Sequence, residues 1–420
     1  MGFASSYLEK RAIFPESIHE LPDANTGIIV VIPAFNEHDI TRVIESLSRC
    51  TQPECSVELI IVINAPADSP AECIDTNRKA VSDISEWKGI NKNCFFRIYV
   101  IQPDTFSFRD WGVGLARKTG MDEAVRRFDL INRADGIILC LDADCTVRSD
   151  YLTEIYAAFI NQKRGCGCSI YFEHPFDTRL YPDEVCRAAA LYELHLRYYL
   201  QGVTYTGYPN AFHTVGSAIA VKALTYVRAG GMNRRQAGED FYFVQKLVSQ
   251  CRYFYLKTTI VYPSPRPSSR VPFGTGMTVT GMIETGKQEF LTYNPVSFAE
   301  LSNLFNSVDS FFNCMDQDLR SVYYSLPESV RHFVDIEQWT GKISEIRNNT
   351  ASLVTFRKRF FEWFNMFRIV KYLNFIHSGY FTRVPVENAA SEMLELAGKR
   401  KEISGLYDLL RYYRSIEIEG

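Results

Sequence analysis

The stretch GIILCLDADC, Gly136 to Cys145, decides the reading of this chain. Ile137 to Leu141 form an unbroken apolar run of the length of one buried strand. The run ends in two aspartates one residue apart, Asp142 and Asp144. Open α/β sheets bind their ligands outside the carboxyl ends of the strands, so both carboxylates fall where chemistry is expected. Two carboxylates that close repel each other unless a positive group lies between them. A hard divalent cation that also takes phosphate oxygens is the natural partner. A pair of solvated turn aspartates is the plain alternative.

Working outward, runs of the same kind recur. GIIVVIPAF (27–35), VELIIVINAP (57–66) and FFRIYVIQP (95–103) read as buried strands. Helical spacing fills the gaps: 38–50, where Ile40, Val43, Ile44 and Leu47 share a face, then 70–87, 111–128 and about 150–162. Strands alternating with helices predict βαβ units, a parallel sheet and right-handed crossovers. The pattern continues less regularly, with strands at 166–174 and 215–222, helices at 182–200 and 238–250, and one or two strands in 252–265. PSPRPSSRVPFGTG (263–276) is too rich in Pro and Gly for regular structure. Beyond about residue 287 strand signals fade and helix dominates. The expected organisation is a lead-in at 1–26, an α/β domain at 27–286 and a helical region at 287–420.

A length of 420 residues allows two or more domains. With 46% apolar and 23% charged residues the composition is that of a soluble globular protein. A net charge of −3 supplies no global basic field for nucleic acid. The 11 cysteines are odd in number and scattered, without CxxC or a zinc spacing, which predicts reduced buried thiols in a cytoplasmic enzyme. The opening MGFASSYLEKRAIF has no apolar core of signal-peptide length. No stretch reaches the roughly 18 apolar residues of a membrane span.

Four features carry chemistry. In VVIPAFNE (30–37), Pro33 stops a strand and Asn36 and Glu37 follow it; a simple turn capped by Asn36 is the alternative. GVGLARKTGMDEA (112–124) starts like a phosphate loop but lacks GxGxxG and the Lys-Ser/Thr pair. Its Arg117 and Lys118 are expected to bring positive charge toward the aspartates, unless they lie on a solvated helix face. Asp142-Ala143-Asp144 is the third. Gly238-Glu239-Asp240 is the fourth, at a helix start, where a carboxylate either caps the helix or is aimed into a cleft as a general base.

In this order the features resemble the family 2 type of GT-A glycosyltransferases, inverting enzymes that use nucleotide-diphospho-sugars. The resemblance covers roughly 27–265. It rests on IPAFNE, on LDADC as the metal-binding D-x-D, and on 215–247 with its small residues, Gly-Gly turn and Glu-Asp pair. It implies a GT-A fold: α/β, a Rossmann-like mostly parallel sheet flanked by helices, followed by a mainly helical region. It implies that Pro33, Ala34 and Glu37 flank the base and ribose. Asp142 would contact ribose or metal-linked phosphate, and Asp144 would coordinate Mn2+ or Mg2+. Asp240 would deprotonate the acceptor hydroxyl, with Glu239 assisting acceptor placement. Asn64 stands where the family often has a base-reading aspartate, and Ala116-Arg117-Lys118 where it usually has Ala-Arg-Asn. The Q-x-x-R-W signature is absent, which argues against a processive synthase.

Stabilising the departing diphosphate calls for positive side chains, and Arg117, Arg266 and Arg270 are the candidates. The last two lie in the 263–276 loop, either a lid or a plain connector. His213 is the nearest candidate for an additional metal ligand, with a structural role as the alternative. LVTFRKRFFEWFNMFRIVKYLNFIH (353–377) is aromatic and basic. It would either lie on the inner face of a membrane or pack its rings into a core, leaving Arg357, Lys358 and Arg368 in water. The acceptor is a sugar, a lipid-linked sugar or a small polar molecule. Competing readings are a retaining enzyme on a similar fold, a sugar-phosphate nucleotidyltransferase, and a non-catalytic scaffold.

Overall fold

The computed structural model describes residues 2–66, 68–102, 112–162, 164–235, 238–272, 274–399, 403 and 405–419. Pro103 and Trp111, at the edges of an expected strand and helix, lie outside the described residues, as do Gln236, Ala237 and Phe273. The chain divides into two units, 1–182 with 214–280, and 183–213 with 281–420. The expected boundary near 286 therefore shifts slightly, and residues 183–213 go with the helical unit. The lead-in does not stand apart either, because it is folded into the first unit.

Among the described residues the strands of the first unit are β1 (Thr26–Ala34), β2 (Ser56–Ile63), β3 (Phe96–Ile101), β4 (Ile137–Cys140), β5 (Thr146–Val147), β6 (Gly165–Phe172), β7 (Ile219–Lys222) and β8 (Arg252–Tyr262). They form one eight-stranded sheet in the order β3-β2-β1-β4-β7-β6-β8-β5. The β1–β2, β2–β3, β1–β4 and β6–β8 pairs are parallel. β7 is antiparallel to both its neighbours, and β5 is antiparallel to β8. The sheet is thus mostly parallel, as expected, and the antiparallel β7 is what periodicity did not reveal. Every residue of β1 is buried, which explains its continuous Ile/Val run. Among the described residues the helices up to residue 250 are α1 (Ser5–Arg11), α2 (Ile40–Ser48), α3 (Ala71–Ile90), α4 (Val113–Leu130), α5 (Tyr151–Asn161), α6 (Asp183–Tyr205), α7 (Ala223–Arg228) and α8 (Glu239–Gln250). α2 buries Ile40, Val43, Ile44 and Leu47, the four residues at helical spacing.

α4 is buried along most of its length, including its charged residues. A buried charge needs a partner. Arg127 finds Glu58, which interrupts the apolar run of β2, and donates to it from Nη2 at 2.7 Å. Its Nη1 donates to the Glu20 carbonyl at 2.7 Å.

The expectation of uniformly reduced thiols fails at one pair. Cys166 and Cys251 are disulfide-bonded, with Cα atoms 6.1 Å apart. Cys166 lies in β6 and Cys251 directly precedes β8; the parallel register pairs Gly165 with Arg252 and so sets the two cysteines side by side. The other nine cysteines are not in disulfides. Thiol titration of unfolded, unreduced protein should count these nine, and eleven after reduction; eleven before reduction would remove the bond.

In the second unit α6 is tied to the C-terminal helix Leu406–Glu419 by buried charges. Arg197 donates to Glu193 at 2.8 Å and also pairs with Glu417, while Arg414 grips Glu193 through two bonds of 2.8 Å. His213 Nε2 lies 2.6 Å from Glu417 Oε1 in this network. Its ring is held in that network of the helical unit, which is a structural role. Residues 353–377 form two helices, Leu353–Trp363 and Met366–Ile376. The Asn365 side chain accepts from the Arg368 amide and starts the second. Phe356, Phe360, Tyr372 and Leu373 are fully buried. Arg357 and Lys358 are exposed, and Arg368 stacks on Trp363 with 4.6 Å to the ring centre. Phe375 is exposed. Among the described residues no helix is long and apolar enough to cross a membrane.

Candidate functional site

The sheet extends in opposite directions from β1 and β4: β2 and β3 on one side, β7, β6, β8 and β5 on the other. That reversal opens a crevice at the carboxyl ends of β1 and β4. Glu37 follows β1 and Asp142 and Asp144 follow β4, so the order of strands brings them to one edge.

Arg117 of α4 is the centre of the arrangement. It is 2% exposed, donates from Nη2 to Asp142 Oδ1 at 2.6 Å, and pairs through Nη1 with Glu239 Oε1. Burial works against its charge, but Asp142 and Glu239 outweigh it and push the guanidinium's pKa up. The residue therefore bridges the D-x-D to the acid pair opening α8. Gly216 makes room for it, since a Cβ there would lie 2.9 Å from the guanidinium nitrogens. Lys118, next in sequence, turns away and bonds Asp122 at 2.8 Å, so it is not part of the site.

α8 begins after Gly238, whose φ of +73° is the left-handed conformation that glycine takes at least cost. Glu239 and Asp240 thus sit at a helix N-terminus, where backbone N–H groups favour negative charge. Asp240 Oδ1 accepts from the Phe241 amide at 2.7 Å. Burial, and then the neighbouring Glu239 charge, nevertheless push the Asp240 carboxyl up to about 7. Burial also raises Glu239, against the pull of Arg117. An acid poised near neutrality is what proton abstraction at working pH needs.

On the other side of the crevice, Glu37 is buried and bound by the loop arginines. Arg266 donates to it at 2.9 Å and Arg270 at 3.1 Å; Arg270 also donates to the Phe35 carbonyl at 3.0 Å. Burial acts against the Glu37 charge, yet these two guanidinium groups hold its carboxyl below the usual range. The same pair lies 3.4 Å and 3.6 Å from Asp144 Oδ2. Pro33 and Ala34 end β1, and Asn64 follows β2, where its amide donates to the Ala34 carbonyl at 2.9 Å.

One contributor escaped the sequence. Asn77 of α3 accepts from the Asn36 amide at 2.9 Å and donates to the Asn64 carbonyl at 3.0 Å. It thereby joins the turns after β1 and β2, and allows Asn36 its left-handed φ of +50°. The signal was a polar residue on the buried side of an otherwise ordinary helix.

The donor set fits a divalent cation. Burial, followed by the charge of Asp142, raises the Asp144 carboxyl despite Arg266 and Arg270. Asp142 and Asp144 offer the hard carboxylate oxygens such an ion takes, and in this structure Arg117, Arg266 and Arg270 hold those oxygens. Among the described residues no cluster of three or more His, Cys, Asp and Glu side chains gathers as a closed metal cage.

Residues 29–221 match the sequence model of a family described as glycosyl transferase family 2. Among solved structures, S. aureus TarS 1-349 is 14% identical, with a TM-score of 0.39 over 93% of this chain and 88% of that one. The same protein in complex with UDP-GlcNAc gives 15% identity and a TM-score of 0.41 over the same shares, 93% and 88%. The mannosyltransferase PcManGT from Pyrobaculum calidifontis, in complex with GDP-Man and Mn2+, is 14% identical, with a TM-score of 0.39 over 64% of each chain. No curated protein matches the chain.

Proposed function

We propose that this chain, whose residues 29–221 match the model of glycosyl transferase family 2, is a glycosyltransferase that transfers a sugar with inversion from a nucleotide-diphospho-sugar to an acceptor hydroxyl. The observation that carries the reading is the Arg117 bridge. It joins Asp142, on the side expected to hold the donor, to Glu239, next to Asp240, on the side expected to hold the acceptor.

In this reading Pro33, Ala34, Glu37 and Asn64 surround the base and ribose, and Asp142 and Asp144 hold a divalent cation, Mn2+ or Mg2+. When bound, that cation supplies Lewis-acid stabilisation to the leaving nucleoside diphosphate. Arg266 and Arg270 already share one carboxylate cluster and are placed to meet further negative charge as the sugar–phosphate bond breaks. Arg117 keeps Asp142 and Glu239 oriented throughout. Asp240 takes the proton of the acceptor hydroxyl as its oxygen attacks the anomeric carbon, and Glu239 helps seat the acceptor. One displacement inverts the configuration at that carbon. The acceptor class stays within sugar, lipid-linked sugar or small polar molecule. Of the rings of 353–377, Phe356, Phe360, Phe364 and Tyr372 are buried, which speaks for core packing there, while Phe375 is exposed.

The test is differential. Wild-type protein should gain thermal stability with one nucleoside diphosphate or its sugar, and more with Mn2+, by mass action. Asp144→Ala should retain its fold and lose the Mn2+-dependent part of that shift. An undiminished Mn2+ effect in the variant would remove the metal assignment, and the absence of any nucleotide effect in the wild type would favour a scaffold.

A further inference from the structure

α4 has two working faces. One carries Arg117 toward Asp142 and Glu239. The other is gripped by the N-terminal segment. Ala4 donates its amide to Asp129 Oδ1 at 2.7 Å, and Ser17 and Ile18 donate theirs to Glu123 at 3.3 Å and 3.2 Å. Arg126 reaches the Phe14 carbonyl at 3.3 Å. Helix α1 adds a buried knot next to Arg117. Tyr7 donates from its hydroxyl to Asp122 Oδ1 at 2.8 Å, and Tyr226 of α7 donates to the same oxygen at 2.7 Å. Lys118 closes the knot, 2.8 Å from Asp122 Oδ2 and 3.0 Å from the Tyr7 oxygen. Tyr7, Lys118 and Asp122 are each less than a tenth exposed, and Tyr226 is fully buried. Burial raises both phenols far from ionisation, so both stay donors.

The knot also reaches the other half of the site. A Cβ at Gly231 would lie 1.9 Å from the Tyr7 oxygen, so the hydroxyl is seated directly on the Gly230–Gly231 turn. Gly231 has a φ of +75° and opens the run that leads to Glu239 and Asp240. Lys246 of α8 donates to Asn233 Oδ1 at 3.2 Å in that run, and the Tyr226 ring packs edge-on to Phe243 of α8 at 5.7 Å. Tyr7 thus touches the helix that carries Arg117 and the turn that delivers α8.

We infer that the N-terminal segment is a working part of the transfer site and that Tyr7 is a positioning residue, acting through Lys118–Asp122 on Arg117 and through Gly231 on Asp240. The inference rests on the roles given above to Arg117 and Asp240. Its physical basis is the close packing and saturation of the knot: Asp122 receives three donors, and losing one leaves a buried acceptor short. A shift of α4 by a fraction of an ångström is then passed to both halves of the site, because packed interiors transmit displacement.

Two measurements test it. First, UDP, GDP, CDP and dTDP, each with Mn2+, are screened by melting temperature, and hydrogen exchange of the wild type is followed with the one that binds. Coupling between sites is reciprocal, so the amides of 5–11 should exchange several-fold more slowly with the nucleotide bound. Second, Tyr7→Phe keeps the ring and removes the hydroxyl. Its kcat should fall roughly 10- to 100-fold, the scale of a misplacement of about 1 Å. The acid limb of its kcat profile should move below 7, because a looser α8 start admits water to Asp240. Nucleotide binding with unchanged exchange at 5–11, or a Tyr7→Phe enzyme with wild-type kcat and pH profile, overturns this inference alone. No nucleotide binding in the wild type overturns the reading of the site and this inference with it.

Discussion

Asp240→Asn should leave donor binding intact and lower kcat by roughly 10²- to 10⁴-fold, the range that general acid–base catalysis contributes. The side chain keeps its shape and loses only its ability to take a proton. In the wild type the base must be ionised, so kcat should rise with pH through about 7, where burial and Glu239 set this carboxyl. The residual rate of the variant should lack that limb. Stability should move the opposite way. A carboxyl whose folded pKa is raised favours the fold only while it is protonated, and its contribution is lost as pH rises from the ordinary carboxylate range to about 7. The wild type therefore bears a penalty at neutral pH that asparagine removes. Asp240→Asn should melt higher than wild type at pH 8, with a smaller gain at pH 5. Transfer at near wild-type rate, or a variant that melts lower at pH 8 than wild type, would count against Asp240 as the base.

Arg117→Leu is expected to be the most damaging single change to stability. The guanidinium is 2% exposed and serves two carboxylates, of which the Glu239 side chain is 3% exposed. Breaking a buried ion pair from one side leaves an uncompensated charge and costs about 3–5 kcal/mol. Equilibrium unfolding in urea should show the loss as a lower midpoint with a similar slope. The loss should shrink at acid pH, where the orphaned Glu239 can be protonated. Arg117→Lys should recover part of it, since one ammonium cannot hold two carboxylates in the fixed geometry of a guanidinium. A deficit of only about 1 kcal/mol, typical of an exposed pair, would show that the bridge is not buried as described.

Sequence pattern disclosed the strands and helices of the first unit well, for a physical reason. β1 and β2 are buried on both faces and read as continuous apolar runs, while α2 buries one stripe at period 3.6. β5 is two residues long and offers no pattern. The direction of β7 depends on which strands it joins, and periodicity carries no such information. Asp142, Asp144, Glu239 and Asp240 stood out as candidates because ionisable residues at strand ends and helix starts break apolar runs, and the fold brings Asp142 and Glu239 together on Arg117. That Arg117 would bridge Asp142 and Glu239 was not legible, since the pairing joins residues far apart in sequence through packing alone. The same holds for Asn77 and Tyr7, ordinary polar residues in helices whose importance lies wholly in what the fold sets against them. The Cys166–Cys251 bond went unread because its partners meet only through the β6–β8 register.

The antiparallel β7 bears on how the molecule is made. β4, which ends in the D-x-D, pairs on one side with β1 and on the other with a strand that begins only at Ile219. During synthesis the apolar edge of β4 must wait, unpaired, while residues 141–218 emerge, α6 among them. An exposed apolar edge is an invitation to wrong partners, and distant pairings close slowly. The step that completes the sheet around the two aspartates must then wait for β7, and until it emerges the edge of β4 is open to wrong partners.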